Sequence, residues 1–354
     1  MRAVALGLVF AIGCGGASAP AAKAPKEDAV DERKAEKGAK DLVGEIYESI
    51  GAGDTDGLMS LLADPLVVFG PRRMDAMGTR ADALVALKAQ IDPKAKKKSA
   101  VHSGSLEVVT SPGGHSAWAI DVLDVGGQPM ALTAVLTNAD DIWQVHAAAL
   151  AETSPMKSIR AELKKDAIVP PGVSGVSKVD PAAQTAVDKF KKGLAEQDLW
   201  GSDLGSRSDA VLIGPATGAV TRGKSDIKKQ WKKRMKANTR FTAAGDITAS
   251  VTPDGELAWV SAPVVQFADD DDPLPLRDFA VFEKAGTDWK LIALQESLAF
   301  DADGAGASYR KTMPPGGAKA AEAAPPPPPP ADKPKKKKKK KHHHTDDDDS
   351  SSSN

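Results

Sequence analysis

The sequence says the same thing twice. Val-Val-Phe-Gly-Pro at 67–71 returns as Val-Leu-Ile-Gly-Pro at 211–215, 144 positions later. Ala-Trp-Ala at 117–119 returns as Ala-Trp-Val at 258–260, and Ile-Trp-Gln-Val at 142–145 as Asp-Trp-Lys-Leu at 288–291. Gly78 and Gly223 each open a capped helix, the second copy being two residues shorter before its Asp-apolar end. An offset near 144 residues is the size of a domain and not of a solenoid unit, so the 354 residues are expected to hold two copies of one fold.

Both copies run through the same elements. In the first, Leu42, Ile46, Tyr47 and Ile50 recur at helical spacing until Gly51-Ala52-Gly53 ends the helix. Asp56 offers an N-cap for a short helix carrying Leu58, Leu61 and Leu62. A strand at 66–69 stops at Gly70-Pro71, and Thr79 with Asp82 forms an acidic variant of a capping box before a helix through Leu84 and Leu87. Strands are then expected at 100–110, 116–125, 130–138 and 142–150, separated by glycine-, proline- and aspartate-rich turns as in an antiparallel meander. The second copy opens at Asp180-Pro181, an N-cap followed by proline at the first helical position, and Val187, Phe190 and Leu194 continue that helix. Its strand at 210–213 stops at Gly214-Pro215, Ser225 caps a helix carrying Ile227 and Trp231, and strands are expected at 241–252, 257–267, 274–283 and 289–300. Domain 1 is therefore placed at 41–151 and domain 2 at 180–300, joined by a linker at 152–179 whose charged middle, 157–165, is expected to form one isolated helix.

The two ends have a different character. Met1-Arg2 and the apolar run 3–12 precede Ala11-Ile12-Gly13-Cys14, after which the chain turns to Gly, Ala, Ser and Pro. This resembles the lipobox of bacterial lipoproteins, although Ala11 stands where the family commonly has Leu. The resemblance implies a signal peptide at 1–13, lipidation of Cys14, and a disordered tether over 14–40. A run of ten apolar residues is too short to span a bilayer, so the expected state is anchored in the cell envelope (periplasm or outer membrane) rather than threaded through a membrane. Cys14 is also the only cysteine, which rules out an intramolecular disulfide framework. The tail, 301–354, reads as disordered: six prolines at 325–330, seven lysines at 335–341, His342 to His344, Asp346 to Asp349 and a run of serines. From residue 331 it carries eight lysines against five aspartates, so a net charge of -1 for the whole chain leaves the rest close to neutral. That balance gives no electrostatic case for nucleic acid, while the lysine run is a candidate contact for an anionic envelope polymer.

The repeated residues resemble the SnoaL-like branch of the nuclear transport factor 2-like superfamily. The resemblance rests on the apolar strand ending in Gly-Pro, the glycine before a capped helix, the strand tryptophans Trp118 and Trp259, and the final strands opening at Trp143 and Trp289. It implies an α+β, cystatin-like fold: two tandem cone-shaped domains, each a curved antiparallel β-sheet wrapped around about three helices, with a pocket at the open end. Pairing through the sheets is common in this family, so the two repeats are expected to dock as an internal pseudo-dimer. The family includes cyclases, isomerases and dehydratases beside non-catalytic binding domains, so fold alone does not assign an activity.

The resemblance also bears on chemistry. The last strand of the family often reads Trp-Lys-Ile-Val-His-x-His-x-Ser, with histidines able to face the pocket. Here those histidine positions hold Ala293 and Gln295 in the second copy, which keeps Ser297, and Ala147 and Ala149 in the first, where Ala151 stands for the serine. His146 is one place early, and strand alternation directs it to the opposite face. A binding role is thereby expected over an enzymatic one, for a small apolar ligand or an envelope protein, with no cofactor; the alternative is an isomerase or cyclase of a small hydrophobic substrate. Residues considered for proton transfer are Tyr47, His102, Asp121, Asp124 and Glu296, the carboxylates being expected on the solvated sheet face. The candidate pocket is Tyr47, Phe69, Trp118, Trp143, Ile213, Trp231, Trp259, Trp289 and Gln295, the tryptophans reading most simply as core. Asp269 to Asp272 lack the spacing and turn glycine of a calcium loop, and three adjacent histidines make at best an open metal site. No phosphate-binding loop, dinucleotide fingerprint, zinc spacing or nucleophile elbow is present.

Overall fold

The computed structural model describes residues 32–70, 76–90, 101–164, 178–200, 209–268 and 271–298. Cys14, the lipobox, the first part of the tether, the aspartates at 269 and 270, and the whole tail lie outside the described residues.

Two α+β halves follow one another. The first has helices α1 (Glu32–Ala52), α2 (Thr55–Leu61) and α3 (Arg80–Gln90) and strands β1 (Leu62–Phe69), β2 (Ala76–Met77), β3 (Val101–Ser103), β4 (Glu107–Thr110), β5 (Ser116–Val125), β6 (Gln128–Ala139) and β7 (Ile142–Glu152). A linker helix, α4 (Met156–Lys164), stands where one was expected. The second half has α5 (Gln184–Ala195), α6 (Lys224–Lys236), β8 (Val211–Ile213), β9 (Val220–Arg222), β10 (Arg240–Ala243), β11 (Thr248–Val251), β12 (Leu257–Ala268), β13 (Asp271–Ala285) and β14 (Asp288–Leu298). Sheet 1 runs β2-β1-β7-β6-β5-β3 with β4 also on β5, and sheet 2 runs β9-β8-β14-β13-β12-β10 with β11 also on β12. The strand order is the same in both. Each sheet is mixed rather than wholly antiparallel, because the strand that ends in Gly-Pro lies parallel beside the last strand, β1 on β7 and β8 on β14.

Local chemistry sets the boundaries. Helix α1 is present from Glu32, inside the expected tether, because Ala35 and Ala39 extend its buried stripe backwards from Leu42 and Val43. Its surface lysines are paired at i,i+4, Lys37 with Asp41 at 2.5 Å and Lys40 with Glu36. A Cβ at Gly38 would lie 2.7 Å from the Trp143 ring nitrogen, so glycine is what lets the helix rest on that indole. Asp54, not Asp56, caps α2 by accepting from Gly57 N at 2.9 Å, and Gly223 at φ 83°, not Ser225, stands at the start of α6. Thr79 and Asp82 do form the capping pair of α3, with Asp82 N donating to Thr79 Oγ1 at 3.1 Å. The first strand expected in each meander is split in two, 101–103 from 107–110 and 240–243 from 248–251.

The hydrophobic residues sort into three clusters. One lies between α1–α3 and sheet 1, built on Leu42, Leu58, Leu66 and Leu136. A second lies between α5, α6 and sheet 2, built on Phe190, Trp200, Trp231 and Phe241, and receives Ile159 from the linker helix. The third joins the outer faces of the two sheets: Phe69, Trp118, Ile120, Val135, Ala147 and Ala149 pack with Val211, Ile213, Trp259, Phe279, Val281 and Ala293. At its centre Phe69 meets Trp259 edge-on at 6.4 Å, and Trp259 stacks on Phe279 at 5.9 Å and 16°. Alanines on both outer faces let the sheets approach. Polar ties surround them: Arg277 Nη1 donates to Gly70 O at 2.7 Å, Gly113 N to a Glu256 carboxylate oxygen at 2.8 Å, Thr217 N to Ser154 O at 3.1 Å, and Arg222 pairs with Glu107. The two sheets are thus packed on each other, sharing one core.

Candidate functional site

Alternation along β13 and β14 sends every second side chain inward. Leu276, Asp278 and Ala280 face the helices of the second half, as do Leu294, Glu296 and Leu298. Asp278 and Glu296 stand directly opposite one another across the strand pair, both 1 % exposed. Two like charges in that relation, away from water, are strongly unfavourable. The arrangement resolves this by treating the acids differently.

Glu296 is taken by Arg234 of α6, whose Nη1 and Nη2 donate to its two oxygens at 2.5 and 2.8 Å. Burial alone would lower the guanidinium's pKa, but Glu296 outweighs it and holds Arg234 above its ordinary value. Asp278 receives no such partner. Its burial first, and the Glu296 charge second, raise its carboxyl pKa well above the ordinary value against the pull of Arg234; this favours the protonated form, and Oδ1 is buried with no hydrogen-bond partner. An aromatic pair backs the ion pair: Arg234 lies over the rings of Trp231 and Phe241, at 5.7 and 5.9 Å, and these stack at 5.0 Å. Gln197 ties this layer down, its amide donating to Phe241 O at 2.8 Å and accepting from Phe241 N at 2.7 Å, while its carbonyl accepts from Trp231 Nε1 at 3.1 Å.

The protein contains its own comparison. The cross-strand pair at the matching register of the first half is Leu132 with Leu150. Two half-buried leucines thus stand in the first half where the second half places two fully buried acids.

The first half has a different polar pair. Tyr47 Oη donates to Asp121 Oδ2 at 3.1 Å, and Ser105 N donates to Oδ1 at 2.8 Å. Burial first and the Asp121 charge second push the phenol above its ordinary pKa. This carboxylate has both oxygens occupied, and it explains the split strand, since Ser105 N turns to it instead of a ladder partner. Asp121 and Glu296 are buried between sheet and helices, against α1 and α6, not on the solvated sheet face where they were expected. Of the remaining proton-transfer candidates, His102 is exposed, and Asp124 accepts from Gly127 N at 2.7 Å as a turn cap.

The expected pocket residues divide between three places. Trp231 and Trp289 are in the core of the second half, and Tyr47 and Trp143 border that of the first. Phe69, Trp118, Ile213 and Trp259 line no cone interior; they are in the sheet-to-sheet core. Gln295 is at that interface too, its Nε2 directed at Ala131 O at 3.4 Å. The alanine and glutamine positions read as lost pocket histidines, Ala147, Ala149, Ala293 and Gln295, belong to this outer face, so their identity does not bear on the interior. His146 departs from alternation because each last strand bulges here: Val135 pairs Ala147 while Leu136 pairs Val145, and Val281 pairs Ala293 while Phe282 pairs Leu291. Burial lowers the His146 pKa, opposed by Asp254, a hydrogen bond to the Val251 backbone, and Asp180, all from the other half. Sequence reasoning missed Arg234, Asp278, Gln197 and Phe241. Among the described residues, no cluster of three or more metal-ligating side chains is present, and no helix is long and apolar enough to cross a membrane.

The raised pKa of Asp278 is testable by stability. A carboxyl whose folded pKa lies above its unfolded value of 3.8 is fully compatible with folding below that pH, and stability is lost as pH rises towards the folded pKa. Asp278→Asn is neutral throughout. The variant is expected to match the parent near pH 4 and to gain on it towards neutrality, by up to about 1.4 kcal/mol per pH unit. Urea denaturation at both pH values measures the difference, and a gap that does not change with pH would mean that Asp278 ionises normally.

Residues 184–301, from α5 to just beyond β14, match the family model described as a SnoaL-like domain. A protein of unknown function from Pectobacterium atrosepticum is similar at 15 % identity and TM-score 0.30, covering 36 % of this chain and 98 % of its own. A nuclear transport factor 2-like protein from Pseudomonas putida is 19 % identical with TM-score 0.28, covering 34 % and 86 %. A protein with a cystatin-like fold from Nostoc punctiforme is 15 % identical with TM-score 0.26, covering 34 % and 90 %. No curated protein matches the chain. Over residues 184–301 the chain thus carries a SnoaL-like domain.

Proposed function

We propose that this chain is a non-enzymatic cell-envelope lipoprotein, held to a bilayer by lipidated Cys14, whose SnoaL-like domain binds a small, largely apolar ligand bearing a hydrogen-bond acceptor. The observation that carries this reading is the exchange of Leu132 and Leu150 for Asp278 and Glu296 at one register of one fold. A buried acid facing a second acid, with one oxygen lacking a partner and its pKa raised towards the protonated form, is a candidate donor to a ligand in apolar surroundings. Arg234 keeps the second acid occupied, and Tyr47–Asp121 in the other half is closed on itself, so neither of these pairs stands ready for proton exchange. The first half, with leucines at the register, serves as the packing partner. A protein partner remains the other form of the binding reading, and the lysines at 335–341 would contact an anionic envelope polymer.

The test is native mass spectrometry of protein released from its own membrane. A small molecule bound to the parent and absent from R234M/D278L/E296L, which copies the leucine pair, is the expected result; identical spectra would sink the proposal. Intact mass before and after Cys14→Ala tests the anchor, with cleavage before Cys14 and a diacylglycerol adduct expected in the parent alone. The second reading, an isomerase or cyclase, is favoured by Asp278 as a buried proton donor. Asp278→Asn separates the two, since the amide N–H can still donate to a bound ligand but transfers no proton.

A further inference from the structure

Helix α6 presents two faces of opposite character. Ile227 and Trp231 are buried, and Arg234 reaches inward to Glu296. Around the rest of the helix stand Lys224, Lys228, Lys229, Lys232, Lys233 and Lys236 against one acid, Asp226. With 1.5 Å of rise per residue, Lys224, Lys228, Lys232 and Lys236 form one row about 6 Å apart, with Lys229 and Lys233 in a row beside it. Lys229, Lys232, Lys233 and Lys236 are exposed, Lys224 and Lys228 half-buried.

Among the described residues none of these six lysines is ion-paired. Helix α1 shows the contrast, since Lys37 and Lys40 there each have an acid at i,i+4. In α6 the i,i+4 neighbours are lysine with lysine four times over, an arrangement that opposes helix formation. Only the last turn gains from the helix dipole. Among the described residues the other lysines gain no ion pair, which leaves a positive surface suited to an external anion.

We propose that the outer face of α6 docks on an anionic phospholipid surface, seating the SnoaL-like domain against the membrane. The identity of the surface rests on the proposed envelope anchor. A flat double row of ammonium groups fits a plane of phosphate headgroups, whereas single-stranded nucleic acid is held by aromatic platforms, and the one aromatic ring of α6, Trp231, is buried beneath the lysines. Chain-wide net charge hides the feature.

The experiment uses the full chain carrying Cys14→Ala, so that lipidation plays no part and its outcome is independent of the anchor. Co-sedimentation is measured with phosphatidylcholine vesicles, with and without phosphatidylglycerol. Binding to the anionic vesicles alone, weakening with salt, is expected. Substituting Gln at Lys228, Lys229, Lys232 and Lys233 should weaken it on the order of a thousand-fold, while Arg at the same four positions retains it. Both changes keep good helix formers, and a circular dichroism melt checks the fold. Replacing 335–341 with serines should have the smaller effect. Binding that survives the four glutamines, that is abolished by the serine tail alone, or that is tighter to duplex DNA than to vesicles in an α6-dependent way would overturn the proposal.

Discussion

Arg234→Met is expected to cost about 3–5 kcal/mol, the penalty for leaving one member of a buried ion pair without its partner. Glu296 is 1 % exposed and both its oxygens are held by that one guanidinium. Stripped of it, Glu296 is left in an apolar layer without its partner and opposite a second buried acid, which destabilises. The loss should disappear when the acids go as well. R234M/D278L/E296L installs the Leu132–Leu150 arrangement of the first half, and replacing a buried ionic group with well-packed apolar residues is neutral or stabilising by about 1–4 kcal/mol. Urea denaturation of the parent, the single variant and the triple variant tests this. Losses that instead add from single to triple would show that the acids support the fold, and would remove the main ground for assigning them to a ligand.

What was legible in the sequence was punctuation. Gly70-Pro71, Gly126-Gly127 and Pro253-Asp254-Gly255 mark where strands stop, and β5 has the expected bounds. The direction each strand faces was not legible. Alternation yields two sets of side chains without saying which is inside, and a single-residue bulge at His146, and again at Ile292, reverses the phase for the rest of the strand. Ala147, Ala149 and Ala293 read as depleted catalytic positions because small residues in strands look empty; they are small because another sheet lies on them. The acid pair was hidden for a related reason. Asp278 and Glu296 are eighteen positions apart and become neighbours only through register, and Arg234 stands in a helix whose lysines conceal which cation turns inward. Aligning the copies through the bulge, Leu132 against Asp278 and Leu150 against Glu296, is the signal that finds the site.

The sheet-to-sheet core leads to the second large effect. Trp259 is 1 % exposed and contacts residues of both halves, edge-on to Phe69 and stacked on Phe279. Trp259→Ala empties the middle of that layer and is expected to cost about 3–5 kcal/mol. Trp259→Phe should be far milder, within about 1.5 kcal/mol, because the indole N–H it removes is itself buried without a partner. The location of the damage is more informative than its size. If the two sheets stabilise each other through this core, amide exchange in Trp259→Ala must accelerate in β5, β6 and β7 as well as in β12, β13 and β14, although the substituted residue belongs to the second half alone. Exchange that quickens only in the second sheet would mean that the halves are stable independently, and that their contact is adhesion between finished domains rather than a shared core.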